Sequence, residues 1–327
     1  MTPRTGAECD THPVRTIDTA AVTASLTPER LLPALEQMFR DGCTAPVRHA
    51  HTITVPGAPD GTLLLMPAWQ SGSYLGIKLV AIFPGNAASR LPAVSAGYLL
   101  MSAATGVVLA LIDGEELTAK RTAATSVLAA RYLAREDAST LLVLGTGRIS
   151  SELARWHATA RPGLARVLVW GRSQEHARHL AAELAIAGIS ASAVLDLEAA
   201  TRVADLITSA TLASAPLIRG EWVRPGTHVD LVGGFTPGMR EADDVLIAKA
   251  RVFADTRAGA LKEAGDLVMP VQAGVLDPAL VEDLEGLCRG TATGRRTDAE
   301  ITVFKSVGAA LEDLAGAILV YEATQPQ

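Results

Sequence analysis

An α/β protein is predicted, with a doubly wound parallel sheet joined to a mostly antiparallel α+β unit. Three features of the 327-residue chain point there. The apolar run Leu141–Leu144 leads straight into Gly145-Thr146-Gly147 and then into a helical pattern. From residue 141 to 255, short β-type runs alternate with helical ones, the pattern of a sheet wound with helices on both faces. From Val47 to Leu111, β-type runs follow one another with only turns between them, as in an antiparallel sheet.

Bulk properties fit two ordinary domains. Hydrophobic residues make up 49% of the chain, enough for a large core, and aromatics only 4%, so that core is built of Ala, Leu and Val. A net charge of -6 argues against a nucleic-acid surface. No run of 18 apolar residues is present, so no membrane span is expected. Cys9, Cys43 and Cys288 are scattered and lack metal-ligand spacing. They are expected to be reduced thiols of a cytoplasmic protein, with no metal site. The first dozen residues and the ATQPQ tail are expected to fray.

In chain order, Thr27-Pro28-Glu29 opens a helix with a capping residue, a proline at the first position and an acid in the first turn. Asp41-Gly42 closes it. The β-rich stretch then comprises His49–Val55, Thr62–Met66, Tyr74–Phe83, Gly97–Ser102 and Val107–Ile112. Charges are scarce there, which sets Arg48 and Lys78 apart. Lys78 sits in Gly76-Ile-Lys-Leu-Val80, where an ammonium needs a partner, a ligand or a route to water. A long helix over 115–134 joins the two units.

Gly145 suits the tight turn after the first parallel strand, and Gly147 leaves room for close approach of a pyrophosphate. The following helix offers unpaired N–H groups to that phosphate. A tight connection that binds nothing is the bland alternative. Ser150 replaces the third glycine of the motif. Further strands are expected at Arg166–Trp170, Ala193–Leu195, Ala204–Thr211, Thr227–Val232 and Arg251–Asp255, six in all with Leu141–Leu144. The second strand ends in Gly171-Arg172-Ser173, with no carboxylate for a ribose diol. A guanidinium and a hydroxyl suit a 2′-phosphate, which favours NADP(H), with NAD(H) possible, unless Arg172 is only a solvated loop residue. Residues 300–306 form a further β-type run, and 307–322 a helix expected to return to the first unit. The expected division is 1–118 together with 297–327 for substrate binding and dimerisation, and 119–296 for the dinucleotide.

Several ordered motifs resemble the ornithine cyclodeaminase/mu-crystallin family. They are Gly76–Val80 with Pro84-Gly-Asn86, Leu109–Gly114, Leu117–Ala124, Gly145–Gly147, Val232–Gly234 with Pro237 and Glu241, Glu263–Leu267, and Thr302–Gly308. The resemblance implies a Rossmann domain, a homodimer, a bound nicotinamide cofactor and a small imino- or amino-acid substrate. It implies that Arg48 and Lys78 hold the substrate carboxylate and that Arg121 lies by the substrate or the cofactor phosphate. It places Thr122, Gly145, Thr146, Gly147, Arg148, Ile149, Arg172, Ser173, Thr211, Val232, Gly233 and Ser306 about the cofactor.

Family cyclodeaminases are similar to one another in a V-G-G-D-x-P-G motif whose aspartate handles a side-chain amine. Phe235 stands at that position here, and a phenyl ring neither accepts a proton nor pairs with an ammonium. Ala93 departs from a threonine common in relatives. The resemblance therefore implies reduction of a cyclic ketimine, Δ1-pyrroline-2-carboxylate to L-proline and Δ1-piperideine-2-carboxylate to L-pipecolate. An alanine-type dehydrogenase, an ornithine cyclodeaminase and a non-catalytic NADPH-binding protein stay open behind it. No proton donor stands out; His49 and His51 read as plain strand residues.

Overall fold

The computed structural model describes residues 13–325. The expectations for the first dozen residues, Cys9 among them, lie outside the described residues. The chain opens with β1 (Arg15–Ile17), α1 (Thr19–Ser25) and α2 (Pro28–Asp41). Thr27 occupies the cap of α2, although its hydroxyl makes no capping bond, and Gly42, at φ 78°, ends the helix. One face of α2 carries Leu31, Leu32, Leu35, Met38 and Phe39, all buried. A fully buried leucine contributes about 1.5–3 kcal/mol relative to an exposed one.

Five antiparallel strands follow: β2 (His49–Ile53), β3 (Gly61–Trp69), β4 (Tyr74–Ile82), β5 (Val94–Ser102) and β6 (Val108–Asp113). β1, absent from the sequence-based expectation, adds in parallel to β6. The sheet order is β1-β6-β5-β4-β3-β2. Lys78 and Tyr98 are cross-strand partners and point to the covered face of this sheet. Leu79 and Leu111 lie on the other, at 39% and 48% exposure.

Asp113 ends β6 and caps α3 (Gly114–Leu133), accepting from the N–H groups of Glu115 and Glu116 at 3.0 and 2.9 Å. α3 is buried almost all round, as its run of alanines allows. It runs between the two sheets, packing on α2 and on β5 of the first.

The second sheet contains β7 (Thr140–Leu144), β8 (Arg166–Trp170), β9 (Ala191–Ala193), β10 (Leu206–Ser209), β11 (His228–Leu231), β12 (Arg251–Ala254), β13 (Glu282–Asp283) and β14 (Thr302–Lys305). The intervening helices are α4 (Arg148–Ala160), α5 (Gln174–Ile186), α6 (Leu197–Val203), α7 (Asp244–Lys249), α8 (Arg257–Glu263), α9 (Gly265–Gln272) and α10 (Leu284–Arg289). All eight strands are parallel, in the order β13-β12-β14-β11-β10-β7-β8-β9. Winding reverses between β7 and β10, and ligands of such sheets bind beyond the carboxyl ends of the strands at that point. Every residue of β7 is buried, as expected of a strand covered on both faces.

Two expectations change. Eight strands, not six, make the parallel sheet. Residues 297–327 do not travel together: β14 inserts between β11 and β12, while α11 (Ala310–Ala323) packs on the six-stranded sheet. The reason is burial. Thr302-Val-Phe-Lys305 is buried on both faces, which only a central position supplies. The tail is also tied down as far as residue 325 allows, since Arg15 donates to Thr324 Oγ1 at 2.6 Å.

Candidate active site

Three cations converge where α11 and α3 meet the covered face of the six-stranded sheet. Lys78, in the middle of β4, is 2% exposed. Its Nζ lies 2.8 and 3.0 Å from the two oxygens of Asp313 in the first turn of α11. Arg121, two turns into α3, donates from Nε to Asp313 at 2.8 Å and from Nη1 to Glu312 at 2.5 Å. Arg48, just before β2, donates through Nη2 to the carbonyls of Val307 and Gly308 at 3.1 and 2.9 Å. The same nitrogen lies 3.0 Å from Glu263. Gly308 packs over the Arg121 guanidinium; at φ 82° a Cβ there would lie 2.7 Å from Nη1. Arg121 Nη2 and Arg48 Nε and Nη1 bond to nothing among the described residues, so donors remain for a ligand.

Burial sets the electrostatics. It pulls the Lys78 ammonium down to about 8; Arg121 and Arg48 add to the fall and Asp313 opposes it. Burial would lower Arg121 too, but Asp313 and Glu312 outweigh it and hold the guanidinium above its usual value. Burial pushes the Glu312 carboxyl up to about 7 against the pull of Arg121. Tyr98 Oη and Glu312 Oε1 are buried without a hydrogen-bond partner among the described residues. Gly76 is needed where it is: a Cβ there would fall 1.9 Å from the Tyr98 hydroxyl.

The loop that carries Gly308 is pinned from below. Asp255, at the end of β12, accepts from Val307 N at 2.8 Å, Gly308 N at 2.7 Å and Ser306 Oγ at 3.3 Å. This loop follows β14, so the cation cluster sits beside the carboxyl edge of the parallel sheet. A second buried network holds the neighbouring loops. Glu241 binds Ser209, Thr211 and Gly233 N, and Asp266 pairs with Lys305 at 3.1 Å, both residues fully buried.

Along the same edge lies a cradle that fits a dinucleotide. Gly145 has φ 109°, and a Cβ there would meet Ser150 Oγ at 2.5 Å and Ala210 O at 2.7 Å. Gly147 caps α4 and has open space where a side chain would stand. A cleft of about 440 Å³ between α4 and α5 is lined by Thr146, Gly147, Arg148, Ser151 and His176 among others. Arg172 is exposed and bonds to nothing among the described residues, while Ser173 caps α5 by accepting from His176 N. Ile149, Thr211, Val232, Gly233 and Ser306 all follow the carboxyl ends of strands of this sheet.

The structure thus brings Arg48, Lys78 and Arg121 together. It commits some other expected residues elsewhere. Arg148 pairs with Glu116 of α3. The Thr211 and Ser306 hydroxyls are held by Glu241 and Asp255. Thr122 is buried within α3. Phe235 lies on the loop after β11 at 41% exposure. His49 and His51 are exposed on the edge strand β2. Glu312 and Asp313 are not among the residues expected from sequence. Their signal was present: two adjacent acids inside the apolar run Leu311–Leu314, which no solvated helix face requires. Among the described residues, no group of three or more metal-binding side chains gathers, and no helix is long and apolar enough to cross a membrane.

The chain is similar to several known proteins. Residues 14–327 match the model of the ornithine cyclodeaminase/mu-crystallin family. The Δ1-pyrroline-2-carboxylate reductase of Paracoccus denitrificans is 40% identical over 279 residues, covering 85% of this chain and 88% of that protein. The Δ1-pyrroline-2-carboxylate reductase of Thermococcus litoralis, solved in complex with NADH and L-proline, superposes with a TM-score of 0.87. It is 31% identical and covers 94% of this chain and 97% of its own. An archaeal alanine dehydrogenase dimer with bound NAD gives a TM-score of 0.85 at 30% identity, with 94% and 95% covered.

Proposed function

The chain belongs to the ornithine cyclodeaminase/mu-crystallin family, and from that premise we propose that it is an NAD(P)H-dependent ketimine reductase. Its substrates are small cyclic imines bearing a carboxylate, Δ1-pyrroline-2-carboxylate first and Δ1-piperideine-2-carboxylate second. The products are L-proline and L-pipecolate. One observation carries this reading: Lys78 and Arg121 meet at the buried Asp313, and Arg48 rests on the neighbouring loop with donors unfilled, beside the carboxyl edge of the parallel sheet.

Arg48, Lys78 and Arg121 bind the carboxylate and so orient the ring. Fixing that orientation in advance removes part of the entropic barrier to reaction at the adjacent carbon. Asp313 holds Lys78 and Arg121 at a set separation, and Asp255 holds the loop on which Arg48 rests. The cofactor, when bound, supplies the hydride. The imine nitrogen must carry a proton for that carbon to be electrophilic, and the amine keeps it. Phe235, where cyclodeaminases of the resembling motif have an aspartate, supports reduction over ring closure with loss of ammonia. The unpartnered Arg172, with no acid at the end of β8, supports NADPH over NADH. The exposed apolar face of the six-stranded sheet, with Leu79 and Leu111, supports a homodimer. Cys43 and Cys288, unpaired in the structure, suit a reducing cytoplasm.

The same clamp accepts an open-chain α-imino acid, and the alanine dehydrogenase likeness favours that as the second reading. A single assay separates them. NADPH and NADH oxidation is followed with pyrroline carboxylate, piperideine carboxylate, and pyruvate plus ammonia. Faster turnover of the cyclic imines supports the proposal. Rates with pyruvate and ammonia that rival them favour the dehydrogenase, and no turnover with any substrate removes both.

A further inference from the structure

The cation cluster already holds more carboxylates than cations before any ligand enters. Arg48, Lys78 and Arg121 stand against Asp313, Glu312, Glu263 and Asp255, three cations against four carboxylates. Asp313 is held by Lys78 and Arg121. Asp255 accepts from three backbone N–H groups and one hydroxyl. Glu263 meets Arg48 and remains partly in contact with water. Glu312 differs. It is fully buried, it has one bond, from Arg121 Nη1, and its Oε1 has no partner among the described residues.

A carboxylate ligand held by Arg121 adds a negative charge beside this group. The charged neighbours already there are Arg121 from α3, Lys78 from β4, Asp255 from the end of β12 and Asp313 on its own helix. Tyr98 from β5 is the further titratable group of the cluster. Even with Arg48 the three cations do not balance the enlarged set of anions, and burial leaves no water to screen Glu312.

We propose that Glu312 takes up one proton from solvent when an anionic carboxylate ligand binds, so that ligand binding and protonation are linked. This rests on the reading above that the three cations receive a carboxylate. The proton moves from hydronium or the buffer acid to a Glu312 carboxylate oxygen, leaving water or the buffer base, and release of the ligand returns it. Glu312 also supports Arg121, and is in that sense a positioning residue. The titration of this carboxyl near neutrality agrees with the scheme: each pH unit above its midpoint weakens an anion's binding by up to about tenfold.

The test uses the dimer or monomer as purified, saturated with whichever nicotinamide it turns over faster. Pyrrole-2-carboxylate serves as the probe, being planar, anionic and not an imine. Calorimetric titrations at pH 7.5 in buffers of differing ionisation enthalpy count the protons taken up. More than half a proton per site is expected, and an infrared difference spectrum shows a protonated carboxyl band growing on binding. In Glu312→Gln the band is lost and the uptake drops to the smaller share that Lys78 supplies. Heat independent of buffer, absence of the band, or wild-type uptake in Glu312→Gln overturns the proposal. The first two need no variant, so a Gln variant that fails to fold does not leave the matter open. Binding without proton uptake rejects this inference alone. No binding of the probe or of either cyclic imine at any pH rejects the carboxylate site and this inference with it.

Discussion

Lys78 and Asp313 face each other across the seam between β4 and α11, Nζ 2.8 Å from one carboxylate oxygen and 3.0 Å from the other. They are 235 residues apart in sequence. Removing Lys78 leaves the buried Asp313 with Arg121 as its remaining partner, and breaking a buried pair costs up to about 3–5 kcal/mol. Lys78→Met is expected to lose about that much stability in urea unfolding and to lose turnover of the cyclic imines, while keeping cofactor binding. In Lys78→Met the interaction with Asp313 is already gone, so adding Asp313→Asn cannot remove it again, and the double variant is expected to be more stable than the sum of the single losses indicates. Simple additivity would mean the two groups do not act as a pair.

The pH dependence has opposite signs for binding and for stability. Burial lowers the Lys78 ammonium from 10.5 to about 8 in the folded chain. Between those values the unfolded chain carries the proton and the folded one does not, so this group adds stability as pH rises from about 8 to 10.5. Affinity for an anionic ligand is expected to fall across the same rise, because the ammonium is lost. Parallel measurements of KM and of unfolding midpoint against pH check both signs, and a KM that is flat through pH 9 counts against Lys78 as a ligand cation.

Acid stability is expected to depend on His157. Burial, with Arg161 adding to it, holds this imidazole down at about 3, and both ring nitrogens lack partners among the described residues. The unfolded chain binds the proton below about 6.5, so stability drains away as pH falls from there towards 3, by about 1.4 kcal/mol per pH unit. His157→Leu is expected to flatten that slope in urea titrations at pH 7, 5 and 4.

Gly145→Ala tests the cradle. Its Cβ would press to 2.5 Å on Ser150 Oγ and 2.7 Å on the Ala210 carbonyl, at a φ of 109° that disfavours any side chain. Loss of measurable cofactor binding is expected, with a stability loss of about 1–3 kcal/mol. Retained NADPH affinity in a folded Gly145→Ala protein would place the cofactor elsewhere.

Cofactor choice is tested at the end of β8. Arg172→Ala is expected to raise KM for NADPH by about 10- to 100-fold, the equivalent of one charged hydrogen bond of about 1.5–3 kcal/mol. KM for NADH should barely change. Equal effects on the two would make Arg172 a solvated loop residue.

Most of the fold was legible from residue patterns. The glycine turn after Leu141–Leu144, the alternating β and helical runs to residue 255, and the charge-poor β-rich stretch before them each express a local rule. Those rules act over a few residues: periodicity, turn chemistry, capping. Lys78 stood out for the same reason, as a lone cation in an apolar strand. Where local rules fell short, the cause was again physical. β1 is three residues long and is a strand only because β6 lies beside it. β14 and α11 are close in sequence yet pack on different sheets.

Sequence by itself determined the parallel sheet, its glycine turn and the lone cation Lys78 in an apolar strand. Only the tertiary structure decided what the cations of the cluster lean on. Asp313 and Glu312 read locally as two acids in a helix, and become the support of Lys78 and Arg121 because α11 crosses the covered face of β4 and the start of α3. Asp255 joins them because β12 ends under the loop that follows β14. Charge–charge energies depend on separation in space and on exclusion of water, and neither quantity is written in the order of residues along the chain.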